Sequence, residues 1–190
     1  RFPGRQAGMP GFIVVQIMPA VTTLAPLFII LSSIRIGDFN VRNRLLGLII
    51  AYSSTALPFV IWNLKGYFDT IPKELEEAAL IDGAAPLQAF FRVALPLSLA
   101  AFVVTLLFAF MAGWSEYLLA VIFLNNPQDH TLPIILQGMV NQYGDAAWSD
   151  FAALSIVMSF PVVFLFFLLQ KWIVSGLTLG GGEGLDGRGG

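Results

Sequence analysis

The chain has 190 residues, of which 57% are hydrophobic, 13% aromatic and only 12% charged. Soluble domains carry about 25% charged residues, so this chain has about half the usual solvating surface, and a soluble enzyme is excluded. A formal net charge of -2 gives no basic field for nucleic acid, and the absence of Cys removes disulfide frameworks, thiolate nucleophiles and cysteine metal sites. What remains is an integral membrane protein.

A hydrocarbon core about 30 Å thick needs roughly 20 mostly apolar residues in helix. Four stretches qualify: residues 12–34, 45–68, 97–123 and 151–174. The first carries Gln16, Pro19 and Pro26, and the second has Pro58 in its middle and Lys65 near its end. The third has one acid, Glu116, and the fourth is interrupted only by Pro161. None has the short apolar core and small-residue cleavage site of a signal peptide. Proline inside a span is tolerable in a bundle, where neighbours re-satisfy the freed carbonyls. The predicted fold is all-α, a polytopic membrane helical bundle with four spans.

Four spans put both chain ends on one side, together with segment 69–96. That side holds Arg1, Arg5, Lys65, Lys73, Arg92, Lys171 and Arg188, seven of the ten basic residues. The opposite side has Arg35, Arg42 and Arg44 in one short turn and none in 124–150. The bias orients the ends and 69–96 toward the cytoplasm. Trp148 and Trp172 bracket the last span, 24 residues or about 36 Å of helix apart, as interfacial aromatic belts do.

Both long connections carry structure. The outer one, 124–150, passes through Asn125 to His130 and Thr131-Leu132-Pro133 into Ile134, Ile135, Leu136, Met139 and Val140, stopping at Gly144. This reads as a short, capped amphipathic helix at the outer surface. The tail has seven glycines in residues 180–190, a composition for a flexible, unpacked end.

In the cytoplasmic segment 69–96, Asp69 and Thr70 are positioned to cap a helix and Pro72 suits its first turn. Glu74, Glu76 and Glu77 complement its N-terminal dipole. Gly83 allows a tight break at positive φ, and a second short helix starts near Pro86. Small alanines on the first helix let another protein approach its backbone closely. Three readings compete: a helical surface loop, a helix-turn-helix and a docking element for a soluble partner. Ala79, four residues before Gly83, fits a helix-turn-helix, but Arg92 alone beside several acids supplies no phosphate contacts. The residues leave loop and docking element open.

Little else bears chemistry. The chain lacks a GxxxxGKS or GxxxxGKT phosphate loop, and its single His130 rules out paired-histidine metal sites. It is expected not to be an enzyme and to bind no cofactor itself. Glu116 is the most suggestive residue inside a span, 19 residues into the third stretch and nearer its outer end. Either its carboxylate reaches outer-interface water beside belt aromatics, or it faces a wet path. In the second case Trp114 and Tyr117 stack on a solute ring and Glu116 accepts its hydroxyls. On a continuous helix Trp114 and Tyr117 share a face, with Glu116 rotated by about 200° from Trp114. Asn63 and Gln16 read as helix-packing amides.

Glu77-Ala78-Ala79, then Gly83, then Val93-Ala94-Leu95-Pro96 resembles the EAA motif of ABC importer permeases, with Val93 where that family prefers Ile. The stretches FVIWNLKGYF at 59–68, Ile71 to Asp82, and WIVSGLT at 172–178 are similar to sugar permeases of the maltose type. The resemblance implies a type I, MetI-like transmembrane domain over 1–180, with 181–190 as the tail. It also implies that the chain starts just before the third of six spans. In this family the EAA helix fits a cleft on the ATPase, which assigns docking to Glu77, Ala78, Ala79, Asp82, Gly83, Leu95 and Pro96. The implied partners are an ABC ATPase dimer carrying ATP and magnesium, a second and different permease, an extracytoplasmic solute-binding protein and the lipid of a prokaryotic inner membrane. The implied cargo is a sugar or oligosaccharide. The glycine tail departs from the glycine- and lysine-containing end usual there. The rivals are an importer of amino acids or phosphonates, an ATPase-independent channel or carrier, and a non-transporting scaffold.

Overall fold

Long apolar runs leave helix as the one conformation that satisfies its own backbone away from water. The computed structural model describes residues 20–36, 39–40, 44–142 and 148–181, together with Gly8, Gly11, Val14 and Ile17. The helices in chain order are Ala20–Ser33, Leu45–Phe68, Lys73–Ile81, Pro86–Ala89, Leu95–Leu97, Leu99–Trp114, Leu118–Phe123, Leu132–Gln142 and Trp148–Gly181. A π-helical turn covers Phe90–Ala94 and a 3-10 turn Pro127–Asp129. Arg35–Ile36 pairs antiparallel with Phe39–Asn40.

Among the described residues two helices are long and apolar enough to cross a membrane, Leu45–Phe68 and the Trp148–Trp172 part of the last helix. A third candidate is the pair Pro86–Leu97 and Leu99–Trp114, bent by 68°. The apolar helix Val21–Ser33 represents the first stretch, whose Gln16 and Pro19 lie outside the described residues. Pro26, Pro58 and Pro161 all sit inside helices without ending them.

The third stretch, expected as one helix over 97–123, is bent at one place and broken at another. The bend falls at Ser98, which is fully buried and sends its hydroxyl back to the carbonyls of Ala94 (2.6 Å) and Leu95 (3.1 Å). Such back-bonding competes with the regular ladder and bends helices, and the π turn just before it loosens the same region. The break falls at Ser115–Tyr117, between Leu99–Trp114 and Leu118–Phe123.

The capping expectations also change. Asp69 pairs with Lys65 one turn back, and the Thr70 hydroxyl donates to the Tyr67 carbonyl, so neither side chain caps Lys73–Ile81; its N-cap position is Pro72. Helix Leu132–Gln142 follows Thr131, whose carbonyl accepts from the Ile134 and Ile135 N–H groups. The Thr131 hydroxyl is buried and makes no hydrogen bond among the described residues, so it provides no side-chain cap. Gly144 and residues 182–190 of the tail lie outside the described residues.

The chain divides into two compact units, residues 1–59 with 109–163, and residues 60–108 with 164–190. In the first, Leu31, Leu48, Ala51, Leu119, Ala120, Phe123, Leu124 and Ile134 form the core, with Phe28 edge-on to Phe123 at 5.7 Å. In the second, Phe68 lies 6.0 Å from both Phe90 and Phe102, and Ala89, Ser98, Ala100 and Ala101 are buried. Asn63 donates to the Thr105 hydroxyl at 2.6 Å, and that hydroxyl donates to the Ala101 carbonyl at 2.7 Å. An amide therefore ties two apolar helices together, the packing role expected for Asn63. Asn63→Leu leaves the Thr105 hydroxyl bonded to Ala101, so only the interhelical bond is lost. Stability is expected to fall by about 0.6–1.7 kcal/mol in a detergent unfolding titration. An unchanged midpoint would show that the bond contributes nothing.

Candidate functional site

Segment 69–96 is built as an exposed helix with a fixed exit. No residue of Lys73–Ile81 is buried, and Ile81 at its end is 85% exposed. Glu77 and Ala78 are exposed and Ala79 half-buried. The helix ends at Asp82, and Gly83 follows with φ of +85°. The Gly83 N–H reaches the Leu80 carbonyl at 3.1 Å and the Ala84 N–H the Ala79 carbonyl at 3.0 Å. These are the two bonds of a Schellman turn, which requires a left-handed residue at the glycine. The four-residue spacing of Ala79 and Gly83 thus has a backbone reason.

Beyond the turn, the Gln88 side chain accepts from the Ala85 N–H at 3.1 Å and fixes the start of Pro86–Ala89. Leu95 and Pro96 lie in the short helix Leu95–Leu97, just before the Ser98 bend. The Tyr67 hydroxyl donates to the Leu97 carbonyl at 3.2 Å, so the end of Leu45–Phe68 is pinned to that bend. Neither Tyr67 nor Ser98 was singled out by the sequence pattern, since each acts through a backbone carbonyl that no motif registers.

The second group of candidates, Trp114, Glu116 and Tyr117, lies at the break. Because the helix stops at Trp114, their helical spacing does not set their faces. The Trp114 indole donates to the Met158 carbonyl at 2.9 Å, in the turn that Pro161 disturbs, and its ring stacks on Phe110 at 5.4 Å. Tyr117 is the N-cap residue of Leu118–Phe123 and packs against the core of its unit. Both carboxylate oxygens of Glu116 accept from that helix, Oε1 from the Leu119 N–H at 2.9 Å and Oε2 from the Ala120 N–H at 3.2 Å. Tyr52, absent from the sequence-based candidates, donates to the Glu116 carbonyl at 3.3 Å. Its ring lies 3.6 Å from where a side chain on Gly113 would begin.

The Trp114–Met158 bond also fixes where along the last helix the break lies. Met158 is ten residues past Trp148, about 15 Å along the helix. Trp148 is 60% exposed at the head of that helix, where an interfacial aromatic belongs. The Trp114–Met158 bond thus ties the break to the last helix about 15 Å from that helix's start.

Residues 1–179 match the family described as the binding-protein-dependent transport system inner membrane component. The chain belongs to that family. It is 37% identical over 184 residues to the inner membrane ABC transporter permease protein YcjP of Escherichia coli K12, covering 97% of this chain and 64% of that protein. It is 37% identical over 187 residues to the maltose/maltodextrin transport system permease protein MalG of the same strain, covering 97% and 62%. To the maltodextrin transport system permease protein MdxG of Bacillus subtilis strain 168 it is 36% identical over 184 residues, covering 97% and 64%. The chain spans a little under two thirds of the length of these relatives. As an inner membrane component, it carries its apolar helices and the exposed Lys73–Ile81 segment within one family domain.

Proposed function

We propose that the chain forms half of the translocation path of an ATP-driven importer for a sugar or oligosaccharide, and that it is coupled to its ATPase through helix Lys73–Ile81. The observation that carries this reading is a helix with no buried residue, ended by the Schellman turn at Gly83 and held between apolar helices of an inner membrane transport component. Its docking surface comprises Glu77, Ala78, Ala79, Asp82 and Gly83, with Leu95 and Pro96 at the entry to the next helix. The maltodextrin permeases among its relatives support a sugar as cargo.

ATP and magnesium bind an ABC ATPase dimer, which faces segment 69–96 and both chain ends in the cytoplasm of a prokaryote. A second, different permease completes the path, and a solute-binding protein delivers the cargo from outside, touching part of 124–150. Closure of the ATPase dimer carries helix Lys73–Ile81 with it. The Tyr67–Leu97 hydrogen bond and the Phe68, Phe90 and Phe102 contacts pass that motion to the helices that follow. Inward- and outward-open states then alternate, each favoured by different partner contacts, and the cargo passes Trp114, Glu116 and Tyr117.

The test is a detergent pull-down of the full subunit with identification of the co-purifying chains. A second permease and an ATPase are expected, and deletion of residues 77–83 is expected to release the ATPase while membrane insertion persists. A homo-oligomer with no ATPase would favour a channel or carrier and end the ATP-driven reading.

A further inference from the structure

The bend at Ser98 is held by groups outside the regular helical ladder. In an unbroken helix the Leu95 and Leu97 carbonyls accept from the N–H groups of Leu99 and Ala101. Here the Leu95 carbonyl accepts from the Ser98 N–H and hydroxyl, each at 3.1 Å, and the Leu97 carbonyl from the Tyr67 hydroxyl at 3.2 Å. Pro96 has no N–H to give the Arg92 carbonyl, and just before it the Leu95 N–H reaches back to the Phe90 carbonyl in a π turn. A proline, a π turn and a hydroxyl inserted into the ladder are each recognised causes of a sharp kink, and all three fall within residues 90–98. The result is the 68° angle between Pro86–Leu97 and Leu99–Trp114.

The same carbonyls have partners in a straight helix. Straightening passes the Leu95 carbonyl from Ser98 to the Leu99 N–H, and the Leu97 carbonyl from Tyr67 to the Ala101 N–H, while the Ser98 hydroxyl keeps Ala94. Bond is exchanged for bond, so the two arrangements lie close in free energy, as a switching element requires. The residues that decide between them are neighbours at the end of Leu45–Phe68. Tyr67 holds the Leu97 carbonyl, and Phe68 lies 6.0 Å from a ring on each arm, Phe90 before the bend and Phe102 after it. Residues 69–72 join that end to helix Lys73–Ile81, and the Gly83 turn joins the far end of the same helix to the Pro86–Leu97 arm. A force on the exposed helix therefore reaches both the hydroxyl that holds the bend and the arm that it holds.

We propose that the Ser98 bend is a two-state hinge latched by the Tyr67 hydroxyl, and that withdrawal of Tyr67 lets residues 86–114 straighten. Its use in transport rests on the reading above, in which the ATPase moves helix Lys73–Ile81. The latch itself is a property of this chain. Tyr67 is a positioning residue, acting through the Leu97 carbonyl and not on any cargo.

The chain contains no Cys, so thiols placed at Leu87 and Leu106 are its only ones. Both positions are open, 71% and 68% exposed, and they lie on opposite arms. Their Cα atoms stand about 28 Å apart along a straight helix and about 24 Å apart at a 68° bend. Spin labels on Leu87→Cys and Leu106→Cys together, in the full subunit made otherwise free of cysteine, read that difference by pulsed electron resonance. The shorter distance is expected to dominate in the purified subunit. Tyr67→Phe keeps the ring and removes the hydroxyl, and is expected to raise the long-to-short ratio about two- to ten-fold, the worth of one hydrogen bond. Asn63→Leu removes a different bond between the same two helices and is expected to leave the ratio unchanged. In the assembled complex the ATP analogue adenylyl imidodiphosphate is expected to change the ratio by at least as much as Tyr67→Phe does.

An unchanged ratio in Tyr67→Phe, or an equal rise in Asn63→Leu, would overturn the latch. A ratio that the nucleotide does not move, in a complex that still takes up sugar, would overturn the part of the hinge in transport and leave the transport reading standing. Absence of an ATPase from the complex would instead overturn the transport reading, and the Tyr67→Phe comparison would still decide the latch.

Discussion

Gly83→Val is expected to abolish recovery of the ATPase with the subunit while leaving the membrane bundle intact. Nothing lies within 4 Å of a side chain added at Gly83, so the effect is not steric crowding by neighbours. It comes from the backbone, because an L-residue held at φ of +85° costs about 1–2 kcal/mol and a β-branched one more. Elsewhere that sum is modest. Here it falls on a nine-residue helix with no buried residue, a length that is marginal in water by itself. The least costly relief is to give up the bonds from Gly83 to Leu80 and from Ala84 to Ala79, which redirects Pro86–Ala89 relative to the helix before it. A docking surface with the wrong exit angle loses its fit, and 1–2 kcal/mol alone is about 5–30-fold in association.

Gly83→Asn provides the control, since Asn tolerates the left-handed region and should restore most of the ATPase. The measurement is ATPase per subunit after detergent purification, beside the thermal midpoint of the subunit. Wild-type recovery for Gly83→Val would mean that the turn geometry plays no part in docking. A lowered midpoint with equal loss in both variants would mean that the bundle itself had failed.

Side-chain hydropathy made much of this fold legible, and backbone hydrogen bonding accounts for the rest. Leu45–Phe68 has the bounds of its apolar stretch, and a helix, a glycine turn and a second short helix follow within 69–96 in the order their residues dictate. Prolines mark sharp breaks in soluble helices, yet Pro26, Pro58 and Pro161 lie within continuous ones, and the true break at Ser115–Tyr117 contains no proline. At that break the Glu116 side chain bonds the backbone of the next turn, and the ring of Tyr52 lies alongside Gly113. Hydropathy counts Glu116 as one acid in an apolar run and cannot see that both its oxygens are committed. The same blindness applies to Ser98, which scores as a small polar residue but bends the chain through the carbonyls of Ala94 and Leu95. At Asp69, the capping pattern is real but a competing partner, Lys65, holds the side chain. Trp114 shows the converse case: the sequence marks its place, while its N–H belongs to Met158.

Glu116→Ala is expected to be among the most destabilising single substitutions in the chain, and the comparison with Glu116→Gln shows why. The carboxylate satisfies two N–H groups at the start of Leu118–Phe123, and removing it orphans both. Each buried donor left unpaired costs about 1–3 kcal/mol, so alanine should cost about 2–6 kcal/mol. The loss reaches the core of its unit directly, because Leu119, Ala120 and Phe123 of that helix are 5%, 0% and 0% exposed. A glutamine retains one carbonyl oxygen and can keep one of the two bonds, so about half the loss is expected. At about 2–4 °C per kcal/mol for a chain of this size, the thermal midpoint in detergent should fall on the order of 10 °C for Ala and half of that for Gln. A carboxylate that simply reached interfacial water would behave differently: Ala and Gln would be nearly equal, with shifts no larger than an ordinary exposed cap provides, about 0.5–2 kcal/mol. The graded order wild type, Gln, Ala is therefore the signature of a carboxylate that holds a broken helix together. Two equal and small shifts would show instead that the Ser115–Tyr117 break stands without it.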